Sequence, residues 1–459
     1  MRRERITRRG LLQAFTTGVA GLLVAACTPK AAPAPAPEQP TVASVGTTPA
    51  PKATAVPAAK GVVSIRFASH GDWAWLMVWM ALIDGFNKEH EGKIVVSFEH
   101  STGDIWAKYM TQMAAGTAAD VIRWEDKRTP EWMERGEQLL DLTPYYETTG
   151  KIKAEDYFEV LWKDCWYKGK LVQLPHDCSP VTLWYNTKLF KERGVKPPPK
   201  VWDDPTWTWD AYLETCRQLT FGEGPKKVFG TYGSRWWVYT HPWVWSNGGE
   251  IITYPDNQVK IDMEQTIEAW QFLADLPNKH KVQPMPDQAT EGGSTLFESG
   301  RTAFYIDNGS YSERAVLVAK DKGFEWDLAP IPSHNGKPVF TRCPNNTIAC
   351  YRGTKHPDEA FTFAAFMASA KAMERTRAVP SHKEVALGKY LSRTKEHNWK
   401  VQVDALTKYL KIEPRTPYFE EANTALDNGW HEVLDGVKEA KVAVRELKPK
   451  LEAILKGKG

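Results

Sequence analysis

The stretch SIRFASHGDW at residues 64–73, with KIVVSFE at 93–99 and DVIRW at 120–124, decides the fold. Each segment holds a short apolar or alternating run that is typical of a β-strand. The segments between them place apolar residues at helical spacing: Trp79, Leu82, Ile83 and Phe86, then Ile105, Tyr109 and Met113. Strands that alternate with helices predict a parallel sheet covered by helices on both faces. The sequence therefore predicts an α/β fold.

Polar and aromatic residues follow two of these strands. In sheets of this kind, ligands bind beyond the carboxyl ends of the strands. His70, Asp72 and Trp73 come after the first strand, and Trp124, Glu125 and Asp126 lie at the end of the third. We therefore expect these six residues on a ligand-binding edge.

The later part of the chain adds elements of both kinds. VTLWYN at 181–186 predicts a strand, and GRTAFYIDNG at 300–309 predicts a strand that runs into a glycine turn. Residues 263–276 predict a helix, and the Lys/Glu-rich segment 437–456 predicts a solvated amphipathic helix. Tryptophans in helix, strand or packing contexts are expected in the core, namely Trp79, Trp162, Trp184, Trp202 and Trp270.

The first 26 residues have the composition of an export signal. Five arginines precede a mildly apolar stretch at 10–26, which is a poor permanent membrane span. TRRGLL at 7–12 resembles a twin-arginine signal, and VAAC at 24–27 resembles a lipobox. The sequence therefore predicts a signal peptide at 1–26 and lipidation of Cys27, while a simple N-terminal membrane anchor remains the alternative.

The segment that follows differs in composition from the rest. Residues 28–60 hold eight prolines and no Phe, Trp or Tyr, so they cannot bury a core. Together with Cys27 we expect them, as 27–60, to tether a globular body to the outer face of the bacterial cytoplasmic membrane. Lipidation would be the chain's only attachment to the membrane.

Charge and motifs exclude several classes of function. The net charge is +3, and residues 1–26 carry five Arg and one Glu, so the remainder is near −1 (+3 − 4). This balance gives no reason to expect nucleic acid as a partner. GxSxG, HExxH, P-loop and CxxC motifs are absent from the sequence. We expect no catalytic residues, no metal site and no cofactor.

Six segments together resemble family 1 extracellular solute-binding proteins, the class that includes maltose-binding protein. They are YKGKLVQLPHDCSPVTLWYNTKLF at 167–190, PPPKVWDD at 197–204, WSNGGEII at 245–252, FESGRTAFYID at 297–307, LAPIP at 328–332 and KHPDEAFTFAAFMAS at 355–369. The resemblance implies a monomer with two α/β lobes (the type II periplasmic-binding-protein fold), a ligand cleft between them, and closure upon the ligand for delivery to the permease of an ABC importer.

The resemblance also implies where the lobes divide. The chain is expected to cross between them near 175–180, 342–346 and 376–382. The N-terminal lobe would comprise 61–177 plus 345–375, and the C-terminal lobe 178–344 plus 376–459.

A sugar is the expected ligand, because its ring faces stack on aromatic side chains and its hydroxyls need fixed donors and acceptors. Trp236, Trp237 and Tyr239 align with the family's stacking segment, while Tyr311 is the nearest replacement for a stacking tryptophan that is absent here. The further expected contacts are Asp177, Asp307, Arg342, Asn345 and Tyr418.

Other ligands and one other activity remain open. A polyamine, a peptide, an anion or a metal complex would use some of the same residues, and Arg235 with Arg342 would suit an anion. A secreted glycoside hydrolase is the remaining alternative, because glycosidases need paired carboxylates. For the five cysteines after Cys27, a Cys343–Cys350 disulfide and buried reduced thiols both remain open.

Overall fold

The computed structural model describes residues 61–457. The predicted signal peptide, Cys27 and the tether lie outside these residues. Among residues 61–457, no helix combines the length and apolar character needed to cross a membrane.

The described part of the chain holds fourteen strands, β1 to β14: Val63–Ser69, Ile94–His100, Val121–Glu125, Trp166–Tyr167, Lys170–Leu171, Leu174–Cys178, Val181–Asn186, Phe229–Gly233, Thr302–Asn308, Trp326–Ala329, Thr341–Arg342, Asn345–Cys350, Val379–Pro380 and Leu410–Lys411. The same part holds seventeen α-helices, α1 to α17: Trp73–Glu89, Ile105–Ala114, Thr129–Glu134, Thr143–Thr149, Glu159–Lys163, Thr187–Arg193, Trp209–Gln218, His241–Ser246, Glu264–Asn278, Gly293–Glu298, Ser312–Lys322, Pro357–Met367, Ala370–Met373, Lys383–Val385, Lys400–Asp404, Phe419–Leu434 and Ala440–Leu455.

The first lobe is built on a six-stranded sheet in the order β13-β6-β12-β3-β1-β2. β1 runs parallel to β2 and β3, as the alternation of strands and helices predicts. β12 is antiparallel to β3 and β6, and β13 is antiparallel to β6. The first-lobe sheet is therefore mixed, with β1, β2 and β3 forming the predicted parallel part and β12 and β13 running in the opposite direction.

The helix α1 shows how the sequence builds this lobe. Asp72 caps it, since its carboxylate accepts a hydrogen bond from the backbone N–H of Trp75 at 3.0 Å. The predicted face, Trp79, Leu82, Ile83 and Phe86, is buried against the sheet. Burying each such side chain contributes about 1.5–3 kcal/mol.

The second lobe has a four-stranded sheet in the order β10-β7-β9-β8, in which only β8 and β9 are parallel. Its core includes the predicted tryptophans Trp184, Trp202 and Trp270, all buried. Trp79 and Trp162 are buried in the first lobe. The expectation that these five tryptophans lie in the core is confirmed.

The chain crosses between the lobes at three places that lie side by side. It leaves β6 at Cys178 and enters β7 at Val181. It returns between Arg342 of β11 and Asn345 of β12, and it crosses last after β13. Because β6 pairs with both β12 and β13, one sheet edge holds all three crossings. The predicted two-lobed α/β fold is confirmed.

Candidate functional site

The carboxyl end of β1 carries the first group of expected contacts. His70 is largely buried, and burial, with the charge of Arg123, lowers its pKa to about 4. Asp72 caps α1 and also pairs with Arg377. Trp73, the first residue of α1, is 71% exposed. Of these three expected contacts, only His70 is enclosed, and its imidazole is held neutral.

Trp124 and Glu125 are neighbours at the end of β3, but their side chains have different surroundings. Trp124 is fully buried against Trp106 and Trp132, and its indole N–H donates to the Thr129 hydroxyl at 3.2 Å. The side chain of Glu125 keeps 21% of its surface exposed. Glu125 therefore remains partly accessible, whereas Trp124 lies in the core of the first lobe.

Two cations follow Glu125 on the same turn. Lys127 Nζ lies 3.1 Å from Glu125 Oε2, and Arg128 Nε lies 4.0 Å from it. Burial opposes ionisation of Glu125, but these two charges outweigh it and lower its pKa to about 2. Glu125 is therefore a carboxylate at neutral pH.

The second lobe contributes an aromatic wall. Trp236 and Trp237 both donate their indole N–H to Asn423 Oδ1, at 3.1 and 2.8 Å. Trp236 is half-buried, whereas Trp237 is buried in the core. Trp236 is therefore the more accessible of the two rings.

Tyr239 joins this wall to the end of β9. Its hydroxyl donates to Asp307 Oδ1 at 2.9 Å and accepts from Asn308 Nδ2 at 2.9 Å. Burial raises the pKa of Asp307. Tyr311 lies behind them, buried edge-on against Trp184 with its hydroxyl on Glu298. Tyr239 and Asp307 thus remain partly exposed, whereas Tyr311 is buried.

Arg342 completes the wall at the second crossing. Its guanidinium carbon lies 5.7 Å from the centre of the Trp236 ring and 5.6 Å from that of Tyr239. Its Nε donates to Glu413. Burial opposes ionisation of Glu413, but Arg342 outweighs it and holds the pKa of Glu413 at about 2.

The two lobes meet at Trp236. Lys127 Nζ lies 4.7 Å from the centre of this ring and 5.5 Å from that of Phe419, the first residue of α16. Arg128 lies over Phe419 as well, at 5.4 Å. We call the residues that converge here the central cluster: Glu125, Lys127, Trp236, Tyr239, Asp307, Arg342 and Glu413.

The remaining expected contacts lie elsewhere. Asp177 and Asn345 are fully buried at the crossings, where Asp177 accepts from Asn346 Nδ2 at 2.7 Å and Asn345 donates to the Leu161 carbonyl at 3.1 Å. The Tyr418 hydroxyl lies against Gly457, at the end of α17. The crossings therefore use Asp177 and Asn345 as structural hydrogen-bonding groups.

Sequence reasoning missed Lys127, Arg128, Glu413 and Phe419. It also missed a buried ion cluster below the cleft, in which Arg415 pairs with Asp126 and Asp164. The DKR run at 126–128, directly after a strand and beside Glu125, was the available signal for the first two residues. Glu413 and Arg415 lie in a segment without periodicity, so no local pattern marked them.

The described residues give no sign of a metal centre, since no group of three or more His, Cys, Asp or Glu within 61–457 could hold an ion. A family model described as bacterial extracellular solute-binding protein matches residues 74–374. The chain belongs to the bacterial extracellular solute-binding proteins.

Individual members of these solute-binding proteins resemble the chain at low identity. A Brucella abortus (strain 2308) relative, named only as a binding protein, is 23% identical over 380 residues, which are 81% of this chain and 88% of the relative. The diacetylchitobiose binding protein DasA of Streptomyces coelicolor is 24% identical over 303 residues, 64% of this chain and 66% of DasA.

A solved solute-binding protein shows the fold. The ABC substrate-binding protein Lmo0181 of Listeria monocytogenes, in complex with cycloalternan, superposes with a TM-score of 0.76. The alignment covers 85% of this chain and 98% of Lmo0181 at 22% identity. The two-lobed fold of this solute-binding protein is therefore shared across nearly the whole body.

Proposed function

We propose that this protein binds a carbohydrate between its lobes and delivers it to an ABC importer. One observation carries the proposal: the half-buried Trp236 ring stands beside a fixed network of Tyr239, Asp307 and Asn308, and Lys127, which pairs with Glu125, approaches it from the first lobe. A flat aromatic face next to rigid donors and acceptors suits a sugar ring with its rim of hydroxyls. DasA, which resembles this chain, is named as a diacetylchitobiose binding protein, and Lmo0181, which has the same fold, is in complex with cycloalternan.

The proposed mechanism is closure of the lobes around the ligand. Trp236 and Tyr239 belong to the second lobe, and Glu125 belongs to the first, so a ring between them would contact both. A ligand that binds both lobes has a higher affinity for the closed arrangement and shifts the equilibrium towards it. In this proposal the ABC permease recognises the closed form. No residue performs chemistry on the ligand.

We further propose that residues 1–26 direct export and that Cys27 carries the lipid. The tether at 27–60 then holds the body at the outer face of the cytoplasmic membrane. The lobe ranges predicted above, 61–177 plus 345–375 and 178–344 plus 376–459, are part of the same proposal.

The test is a binding screen of the purified protein by thermal shift, followed by titration calorimetry. The panel comprises mono- and oligosaccharides, polyols, polyamines, amino acids and short peptides. A ligand at 100 times its Kd stabilises the fold by about 2.7 kcal/mol. We expect a carbohydrate to bind, and Trp236→Ala to weaken it at least about tenfold through loss of the stacking face.

Trp166→Ala is the matched control. Trp166 is also a half-buried tryptophan, but it packs on Trp162 and Tyr146 in the first lobe. We expect this variant to bind the carbohydrate as the parent does. Binding of a polyamine or peptide with no response to any carbohydrate would contradict the proposal, and so would turnover of a glycoside.

A further inference from the structure

The buried guanidinium of Arg342 has N–H donors that make no hydrogen bond within residues 61–457. The side chain is 1% exposed, and its Nε donates to Glu413. Its two terminal nitrogens, Nη1 and Nη2, have no hydrogen-bond partner among residues 61–457. These nitrogens carry four of the five N–H donors of an arginine.

Unpartnered charged donors of this kind are rare. Buried polar groups in folded proteins almost always find a partner, since leaving a charged donor unsatisfied is costlier than leaving a neutral one. Arg342 lies against the rings of Trp236 and Tyr239, which form the proposed stacking wall. The position indicates that the missing partner arrives with the ligand.

The geometry of the free edge indicates the kind of partner. Nη1 and Nη2 present two parallel N–H groups, which match the two oxygens of a carboxylate. A single hydroxyl satisfies only one of them. Lys127, a second cation, lies over the same Trp236 ring from the opposite lobe. A negative group on a ring stacked at Trp236 would therefore lie close to two cations.

The acidic groups of the central cluster leave this edge free. Glu125 pairs with Lys127, and Glu413 occupies the Nε side of Arg342. Asp307 accepts from the Tyr239 hydroxyl and from the backbone N–H of Asn308. Each carboxylate is thus held by other donors.

We propose, on the basis of the function proposed above, that the ligand is an acidic carbohydrate whose carboxylate binds the Nη1–Nη2 edge of Arg342. Its ring stacks on Trp236, and Lys127 supplies the second positive charge. The Glu413 carboxylate holds the guanidinium in position by its Nε, which makes Glu413 a positioning residue.

Titration calorimetry on the purified full-length protein tests this inference. The probes are glucuronate, galacturonate and digalacturonate, each compared with its neutral counterpart, glucose, galactose or digalactose. We expect the acidic member of a pair to bind at least about tenfold more tightly. Arg342→Gln should weaken the acidic ligand by at least about tenfold and change the neutral one by less than about threefold.

Two further variants keep the test decisive. Arg235→Gln is the matched control, because both terminal nitrogens of Arg235 already pair with Asp435, at 2.7 and 2.8 Å. This substitution should leave the preference for the acidic sugar unchanged. Glu413→Gln covers a folding defect of Arg342→Gln, since it keeps the guanidinium and removes the carboxylate that positions it. It should weaken binding of the acidic sugar and leave the neutral one unaffected.

The outcomes separate this inference from the proposed function. Equal binding of acidic and neutral sugars, with Arg342→Gln weakening both alike, overturns the acidic ligand and leaves the carbohydrate function standing. Binding of neutral sugars alone would also overturn the acidic ligand and leave the carbohydrate function standing. Failure of every carbohydrate, with a polyamine or peptide bound instead, overturns both.

Discussion

Lys127 Nζ lies 4.7 Å from the centre of the Trp236 ring, so a cation of the first lobe contacts an aromatic side chain of the second. Two ion pairs flank this contact: Arg128 with Glu420, and Arg135 with Glu421. The bases follow β3, and the acids belong to the first turn of α16. Charged side chains therefore link the two lobes at this point.

Substitution of Lys127 by methionine should shift the lobes towards the open arrangement. The change keeps the length of the side chain and removes the charge that lies over Trp236. A desolvated cation–π contact contributes up to roughly 2 kcal/mol, which bounds the shift in the opening equilibrium. Small-angle X-ray scattering of the protein without added sugar should show a larger radius of gyration.

Lys168→Met is the control for this substitution. Lys168 pairs with Glu134 at an exposed position within the first lobe. The Lys168→Met substitution should leave the radius of gyration unchanged. An unchanged radius in Lys127→Met would show that its contact with Trp236 does not hold the lobes together.

Arg415→Met should destabilise the protein strongly. Arg415 is buried and pairs with Asp126, at 2.6 Å, and with Asp164. Its loss leaves two buried carboxylates uncompensated, a change that costs about 3–5 kcal/mol. Urea unfolding followed by tryptophan fluorescence measures this loss of stability as a fall in the unfolding midpoint.

An exposed pair provides the comparison for Arg415. Arg352 Nη1 lies 2.6 Å from Glu137 Oε2, with both side chains more than half exposed. Arg352→Met should cost less than about 1 kcal/mol. Equal effects of the two substitutions would mean that the buried cluster contributes no more than a surface ion pair.

Stability should fall as the pH is lowered from 7 to 4. Burial and Arg123 lower the pKa of His70 to about 4, whereas a histidine in the unfolded chain titrates near 6.5. The unfolded state therefore binds more protons in this window, and the free energy of unfolding decreases. His70 contributes roughly 2–3 kcal/mol of this loss by pH 4.

Glu125 and Glu413 extend the loss to lower pH. Their carboxylates have pKa values of about 2 in the folded protein, so the stability they contribute disappears between about pH 4.5 and pH 2. Urea unfolding at several pH values measures both phases. His70→Gln should flatten the first phase only; an identical slope in this variant would contradict the assignment to His70.

The thiols should react only when the protein unfolds. Cys165, Cys178, Cys216, Cys343 and Cys350 are all buried and unpaired, and burial raises their pKa values. A thiol reagent should label almost none of them in the native protein within minutes. In denaturant the exported protein should show five free thiols if Cys27 is acylated, and a sixth would indicate that it is not.

Much of the fold could be predicted from local sequence. The strand at 93–99 and the helix at 263–276 lie within one or two residues of β2 and α9. Apolar periodicity marks such elements because one face of each packs on a core. The antiparallel strands β12 and β13 left no local signal, since the direction of a strand depends on where the chain returns.

The site was harder to predict because its contacts join distant segments. Arg342 and Glu413 are 71 residues apart, and Arg415 and Asp126 are 289 apart. β3 is covered on both faces, so no alternation distinguishes the buried Trp124 from Glu125 at its end. At the start of α16, Tyr418 stays a predicted contact, and the ring that Lys127 and Arg128 approach is that of the next residue, Phe419.

The arrangement of the crossings has a mechanical consequence. β6 pairs with β12 on one side and with β13 on the other, so the three interlobe crossings start from adjacent hydrogen-bonded strands. Three paired strands of this kind bend and twist easily, but they resist sliding along one another, because sliding would break the hydrogen bonds between them. The lobes are thus left with little more than a single axis of rotation. Ligands of different size or shape would then produce the same movement to a different extent, so one docking geometry could serve them all.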